Sequence, residues 1–339
     1  MKIILDAMGG DNAPAEIIKG AAQAVAEYPD VEILAVGSEE AIRAAAQQEK
    51  VSLERIEIVN TTQVIEMSDE PAKAIRSKKD SSMVVGLKLL AEGKGDAFVS
   101  AGSTGALHVG ASLIVRTMKG VKRPALATLV PGGVKPYMLM DSGANVECRA
   151  GMLEAFGVMG SAYMNKVMGI EQPRVALVNN GAEETKGTPL YQEAHQLLKA
   201  NPHIHFVGNI EPRDVPSGAD ADVVVCDGFT GNVILKLSEG MAKTILGMLK
   251  EVFLSGAVTK LAYLLVKDGM AGLKKKMDSE EHGGAPLLGT SRIVIKAHGS
   301  SQARGVKNAI RQARLCVQND LVGTMSAALA DLGSAKAAE

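Results

Sequence analysis

Several glycine- and hydroxyl-rich stretches of this chain place polar groups where a short apolar run meets a helical pattern. In "VSAGSTGAL" (99–107), Ser100, Ser103 and Thr104 follow an apolar run and precede the helix-like "ALHVGASLIVR". Backbone amides freed by small residues at a helix start, with hydroxyls beside them, can hold a phosphate oxygen. A capped helix start with glycines for close packing accounts for the same residues equally well. The stretch lacks a Walker lysine and GxGxxG spacing, which weakens a mononucleotide or NAD reading. "KAHGSSQARG" (296–305) repeats the form, with His298 ahead of Gly299 and Ser300. An imidazole there can donate to an anion or act as a general acid, against the alternative of a structural histidine or cap.

Three further loops share this character. "CDGFTGNVILKLSEG" (226–240) carries Asp227 and Asn232, "NNGAEETKGTP" (179–189) carries Lys186, and "DSGANVECRAG" (141–151) carries Asn145. Lys186 can neutralise a phosphate, although a lone loop lysine is more often solvated. The opening "DAMGGDNAP" (6–14) resembles a phosphate loop, but Asp6 and Asp11 would repel a dianion and no lysine offsets them. It reads better as a turn at the rim of a site. Gly9 and Gly10 let the backbone pass close to a ligand, and Asp11 or Asn12 caps a helix begun at Pro14.

The elements that must position these loops alternate in type. Strand-like runs fall at 2–7, 31–37, 56–60, 96–102, 124–130, 137–141, 174–181, 204–210, 221–228 and 292–299. Their Val/Ile-rich texture, without polar alternation, predicts strands covered on both faces by helices. The expected fold class is therefore α/β, a three-layer α/β/α arrangement around a large, mostly parallel sheet. Between the runs, Ile17, Ala21 and Val25 share a helical face, and Ser38 is placed to cap a helix. Ligands of such sheets bind at the carboxyl ends of the strands, which is where the polar loops lie. No linker divides the chain, so residues 1–339 are expected to form one catalytic domain, in one or two lobes.

Residues 237–282 break the rhythm and predict a helical insertion. Leu237, Met241, Ile245, Met248 and Val252 lie at helical spacing, and Leu261, Leu264, Leu265 and Val266 are flanked by Lys260, Lys267 and Lys274 to Lys276. Such a segment suits a dimer contact or an interfacial membrane helix, with dimer contact the commoner in soluble proteins.

Composition narrows the classes. Apolar residues make up 46%, charged residues 22% and aromatics 3% of 339 residues, with a net charge of −1. A near-neutral chain poor in stacking platforms is a poor nucleic-acid binder. Cys148, Cys226 and Cys316 form no CxxC pair, which argues against a disulfide framework or structural zinc. No apolar run approaches the roughly 20 residues of a membrane span. With no leader pattern at its start, the protein is expected to be cytoplasmic, without metal or cofactor.

In order along the chain, "LDAMGGDNAP", "SAGSTGAL", "GANVECRAG", "GAEETKGTP", "CDGFTGNVILKLSEG" and "GGAPLLG" resemble the bacterial phosphate acyltransferases of phospholipid synthesis. The resemblance covers essentially the whole chain. It implies a fold like that of isocitrate and isopropylmalate dehydrogenases and phosphate acetyltransferases, a homodimer, and peripheral membrane association. It also implies acyl-acyl carrier protein and orthophosphate as substrates, with a downstream glycerol-phosphate acyltransferase as a partner. Two loops depart from the family pattern, through Ser142 in one and Ala182 and Thr185 in the other. On this reading Ser103, Thr104, Lys186, Gly299 and Ser300 bind phosphate, His298 donates to the carbonyl oxygen or leaving group, Asn145 and Asn232 are polar contacts, and Asp227 orients a donor. Three alternatives stay open: a phosphate acetyltransferase using acetyl-CoA, a nicotinamide-dependent decarboxylating dehydrogenase, and a non-catalytic membrane-docking module.

Overall fold

The computed structural model describes residues 1–276, 281 and 283–335. Each of the ten expected strand segments contains a strand, and an eleventh joins them. The strands are β1 (Lys2–Asp6), β2 (Glu32–Gly37), β3 (Ile56–Asn60), β4 (Ala97–Ser100), β5 (Ala125–Val130), β6 (Tyr137–Met140), β7 (Arg174–Val178), β8 (His205–Ile210), β9 (Val223–Val225), β10 (Ala285–Leu288) and β11 (Ile293–Lys296). The helices are α1 (Ala15–Glu27), α2 (Glu39–Glu49), α3 (Pro71–Ser77), α4 (Ser82–Ala91), α5 (Thr104–Gly110), α6 (Ala150–Lys166), α7 (Pro189–Ala200), α8 (Gly228–Leu254), α9 (Ala257–Lys276), α10 (Ala303–Gln318) and α11 (Leu321–Ala335).

One sheet holds all the strands in the order β3-β2-β1-β4-β11-β10-β5-β6-β9-β7-β8. Seven neighbouring pairs are parallel. The three antiparallel pairs, β11–β10, β10–β5 and β5–β6, stand together in the middle. Three reversals are an odd number, so β6, β9, β7 and β8 run opposite to β3, β2, β1, β4 and β11. The sheet is two parallel halves pointing in opposite directions, and their carboxyl ends lie at opposite edges.

Alternation along the strands builds the layers. Ile3 and Leu5, Ile33 and Ala35, Ala97 and Val99, and Ile293 and Ile295 join one continuous core that runs across both halves. Residues from α1, α6, α7, α10 and α11 complete it. The opposite face is divided. Ile4, Leu34, Phe98, Leu126 and Val294 pack with α3, α4 and α5, whereas Tyr137, Leu139, Ala176 and Val224 form a separate cluster beside α8. The interruption lies over the central antiparallel strands.

Two expectations are corrected here. Helix α1 has no side-chain cap; Asn12 contributes only its backbone carbonyl to Glu16 N, and its side chain donates to Ser300 O at 3.0 Å. Ser38, by contrast, does cap α2. The helical segment begins earlier than residue 237, because α8 starts at Gly228 directly from the end of β9. It pairs with α9 to form a hairpin; residues 277–280 and 282 of the expected insertion lie outside the described residues.

Candidate active site

A cleft of about 430 Å³ opens where the second core is interrupted. It extends from the carboxyl ends of β4 and β11, across β10 and β5, to the carboxyl end of β6, with α8 as one wall. Asp11, Thr104, Asn232, His298, Gly299 and Ser300 line it among the residues singled out from sequence. Met67, Leu126, Leu129 and Leu235 supply an apolar lining.

His298 is exposed at the mouth. Its Nδ1 accepts the Ser300 backbone N–H at 3.3 Å and lies 2.9 Å from Ser300 Oγ. A backbone N–H can only donate, so the neutral ring carries its proton on Nε2. Nε2–H then has no hydrogen-bond partner among the described residues. The rim turn is tied to the same loop, since Asp11 N donates to Gly299 O at 2.8 Å.

Asn232 reaches the cleft from α8, which crosses back over the sheet. The helix can start so close because Gly228 and Gly231 carry no Cβ. One added at Gly231 would fall 1.9 Å from Asp141 O, and one at Gly228 would fall 2.7 Å from Asn145 O. Asp227 caps α8 by accepting from Thr230 N at 2.9 Å and from Thr230 Oγ1 at 2.8 Å. It also accepts from the Tyr191 hydroxyl, whose pKa is raised by burial and by this bond.

Several expected site residues do not line the cleft. Ser100 is buried, donating to Asp6 Oδ2 at 2.6 Å and accepting from Gly102 N at 3.0 Å. Burial raises the Asp6 pKa. Gly9 packs on this pair, where a Cβ would fall 2.5 Å from Asp6 Oδ2, and Gly10 turns at φ +105° beside Ala101. The approach these glycines permit is therefore to the protein's own Asp6 and Ala101. Ser103 is the buried N-cap of α5, 3.4 Å from Ala106 N, so its hydroxyl serves the helix while neighbouring Thr104 lines the cleft. Asn145 Nδ2 donates to Pro124 O at 2.8 Å and to Asp141 Oδ2 at 2.7 Å, within a loop gathered around the Asp141 carboxylate. Asp227 and Lys186 follow β9 and β7, whose carboxyl ends lie at the opposite edge from those of β4 and β11. Lys186 is exposed on its loop, and the cleft lining does not include it.

Other lining residues carried weaker signals. Ser142, one of the departures from the family pattern, is buried; its Oγ donates to Leu126 O at 3.0 Å and meets Thr128 Oγ1 at 2.6 Å. Lys236 lies on α8, ion-paired with Glu239 at 2.8 Å. Lys296 ends β11, and its sequence signal was a single charge closing the otherwise apolar run "IVI". The cysteines offer no nucleophile: burial pushes Cys148 and Cys316 up to about 12 and raises Cys226 as well. Among the described residues no group of three His, Cys, Asp or Glu is placed to hold a metal ion.

Comparison with known proteins places the chain in a family. The fatty acid synthesis protein profile matches residues 1–323. A phosphate acyltransferase from Alkaliphilus oremlandii is 48% identical over 333 residues, covering 98% of each chain. Among solved structures, a phosphotransacetylase from Streptococcus pyogenes superposes with a TM-score of 0.63 at 17% identity, covering 94% of each chain. The EutD phosphotransacetylase from Staphylococcus aureus gives 0.61 at 19% identity, again covering 94% of each. The α/β fold is thus shared with phosphotransacetylases, and on full-length sequence similarity the chain belongs to the fatty acid synthesis protein family, that of the phosphate acyltransferases.

Proposed function

We propose that this protein transfers a fatty acyl group from acyl-acyl carrier protein to orthophosphate, giving acyl-phosphate for phospholipid synthesis. Family membership supports the reaction class. The observation that carries the site assignment is His298, with Nε2–H free at the mouth of a cleft that also offers an apolar lining. A phosphate oxygen attacks the thioester carbonyl carbon, the tetrahedral intermediate collapses with loss of the carbon–sulfur bond, and the thiolate takes a proton. His298 Nε2–H donates to the carbonyl oxygen or the departing sulfur. Thr104, Gly299 and Ser300 contact phosphate, Asn232 is a polar contact from the opposite wall, and Met67, Leu126, Leu129 and Leu235 receive the start of the acyl chain. Asp227 acts through α8 as a positioning residue. Lys186 is the remaining phosphate candidate, on an exposed loop outside the cleft lining, and an unchanged phosphate KM in Lys186→Met would remove it from phosphate binding.

The test is phosphate-dependent release of free carrier-protein thiol from acyl-carrier protein. No release sinks the reading, and faster turnover of acetyl-CoA would favour a phosphate acetyltransferase instead. His298→Ala is expected to lower kcat roughly 100-fold or more. Unchanged acyl-phosphate formation would remove His298 from the mechanism.

The α8–α9 hairpin supports a second role for the same protein. Leu237, Met241, Met248, Val252, Leu261, Leu264 and Leu265 are all exposed on it, with Lys260 and Lys267 nearby. We assign this surface to a homodimer contact first and to peripheral membrane docking of a cytoplasmic enzyme second. Among the described residues, no helix is long and apolar enough to cross a membrane. A downstream glycerol-phosphate acyltransferase would then take up acyl-phosphate near the membrane surface.

A further inference from the structure

The cleft contains a buried cation that the roles above leave unused. Lys296 is 7% exposed, on the strand face that continues from Val294 and Phe98 into the apolar core. An ammonium there is costly unless something compensates its charge. Its Nζ donates to Ala101 O at 3.2 Å and to Ala297 O. These two carbonyls use two of its three donors and do not neutralise it. Among the described residues no carboxylate lies within ion-pair distance of Nζ. Asp6 and Asp11 act on it only at longer range, and the Asp6 carboxylate is already engaged by Ser100. Lys236 on the facing wall differs, because Glu239 already pairs with it.

The structure assigns to Lys296 the fixed cation of the phosphate subsite, with its third N–H donated to an oxygen of inorganic phosphate bound beside Thr104, Gly299 and Ser300. The assignment deepens the acyl-transfer reading and rests on it. A compact ammonium held by two backbone carbonyls is a point charge that needs no reorganisation when a dianion arrives. It lies next in the chain but one to His298, so the phosphate is brought to the loop that carries the proton donor. Burial lowers its pKa to about 8, with Asp6 and Asp11 opposing the shift, so the group is still a cation at pH 7.

Lys296→Met, checked for folding by circular dichroism, tests this by calorimetric titration with inorganic phosphate and by steady-state kinetics. The expected result is at least a tenfold loss of phosphate affinity and a matching rise in phosphate KM, with the KM for acyl-carrier protein unchanged. A normal phosphate KM overturns the assignment. A rise confined to the carrier-protein KM also overturns it, because the cation would then serve the thioester substrate and not phosphate. If the variant does not fold, reductive methylation of the wild-type enzyme with formaldehyde and cyanoborohydride decides the matter. Phosphate should then protect Lys296 and leave Lys236 labelled, and equal labelling of Lys296 with and without phosphate overturns the assignment. A wild-type protein that binds phosphate through Lys296 but releases no carrier-protein thiol would sink the acyl-transfer reading alone.

Discussion

Ser100 has the residue type and position of a ligand-binding hydroxyl, yet its hydrogen bonds hold the ends of β1 and β4 together. Ser100→Ala would leave Asp6 Oδ2 and Gly102 N buried without this partner. The expected cost is about 1–3 kcal/mol, measured by urea denaturation. A loss below about 0.5 kcal/mol would mean that the bond contributes little. Lys296 makes the opposite bargain, since a buried charge lowers stability in exchange for a binding site. Its pKa of about 8 in the folded protein lies below the ordinary value of 10.5. Below pH 8 the group is charged in both states, and the desolvation cost is fully present. Between pH 8 and 10.5 the unfolded chain holds a proton that the folded chain has released, so stability rises with pH. Relative to Lys296→Met, the wild type should gain up to roughly 3 kcal/mol over that range. Asp6, Asp11 and Lys236 set the local field in which this titration occurs. A stability difference that stays flat from pH 7.5 to 10.5 would contradict the depressed pKa.

At the scale of elements, α8 links the site to the rest of the fold. Gly231→Ala would drive a methyl group into Asp141 O, so α8 must lift from the loop and carry Asn232 with it. The expected outcome is destabilisation of at least about 2 kcal/mol, with a fall in kcat in whatever protein remains folded. A stable, fully active variant would show that the helix start is not fixed by this contact. The glycines of "CDGFTGN" were visible in the sequence as a loop signal, but their reason, close approach of a helix to a second loop, is a tertiary fact. The strands were legible because Val/Ile runs such as "ADVVVC" resemble little else. Strand β10 was not, since it has four residues and Pro286 argues against a strand. The structure tolerates that proline because β10 pairs β11 with Ala285 and Pro286 and then β5 with Leu287 and Leu288. A strand's own residues do not reveal its direction, so polar loops at the ends of β7 and β9 looked equivalent to those at β4 and β11. His298, Thr104 and Asn232 meet in the cleft, which also reaches the carboxyl end of β6; Lys186 and Asp227, on the loops that follow β7 and β9, do not line it.

For the molecule as a whole, the two halves of the sheet share one continuous core on one face, while the other face is left open at their junction. The α8–α9 hairpin begins at that opening and carries its apolar side chains away from it. Leu261, Leu264 and Leu265 are 62%, 65% and 84% exposed, a cluster that a dimer partner would take out of water. Burying one leucine is worth about 1.5–3 kcal/mol. Replacing all three with serine should therefore weaken dimerisation by at least about 3 kcal/mol, more than 100-fold in Kd. Sedimentation equilibrium across a concentration series measures that shift. Acyl-phosphate formation from soluble substrates should persist, because none of the three leucines lines the cleft. An unchanged dimer combined with loss of liposome flotation would move the assignment of this face from the partner subunit to the membrane. Loss of the dimer together with all activity would mean instead that the hairpin contact helps to shape the cleft, through the shared helix α8.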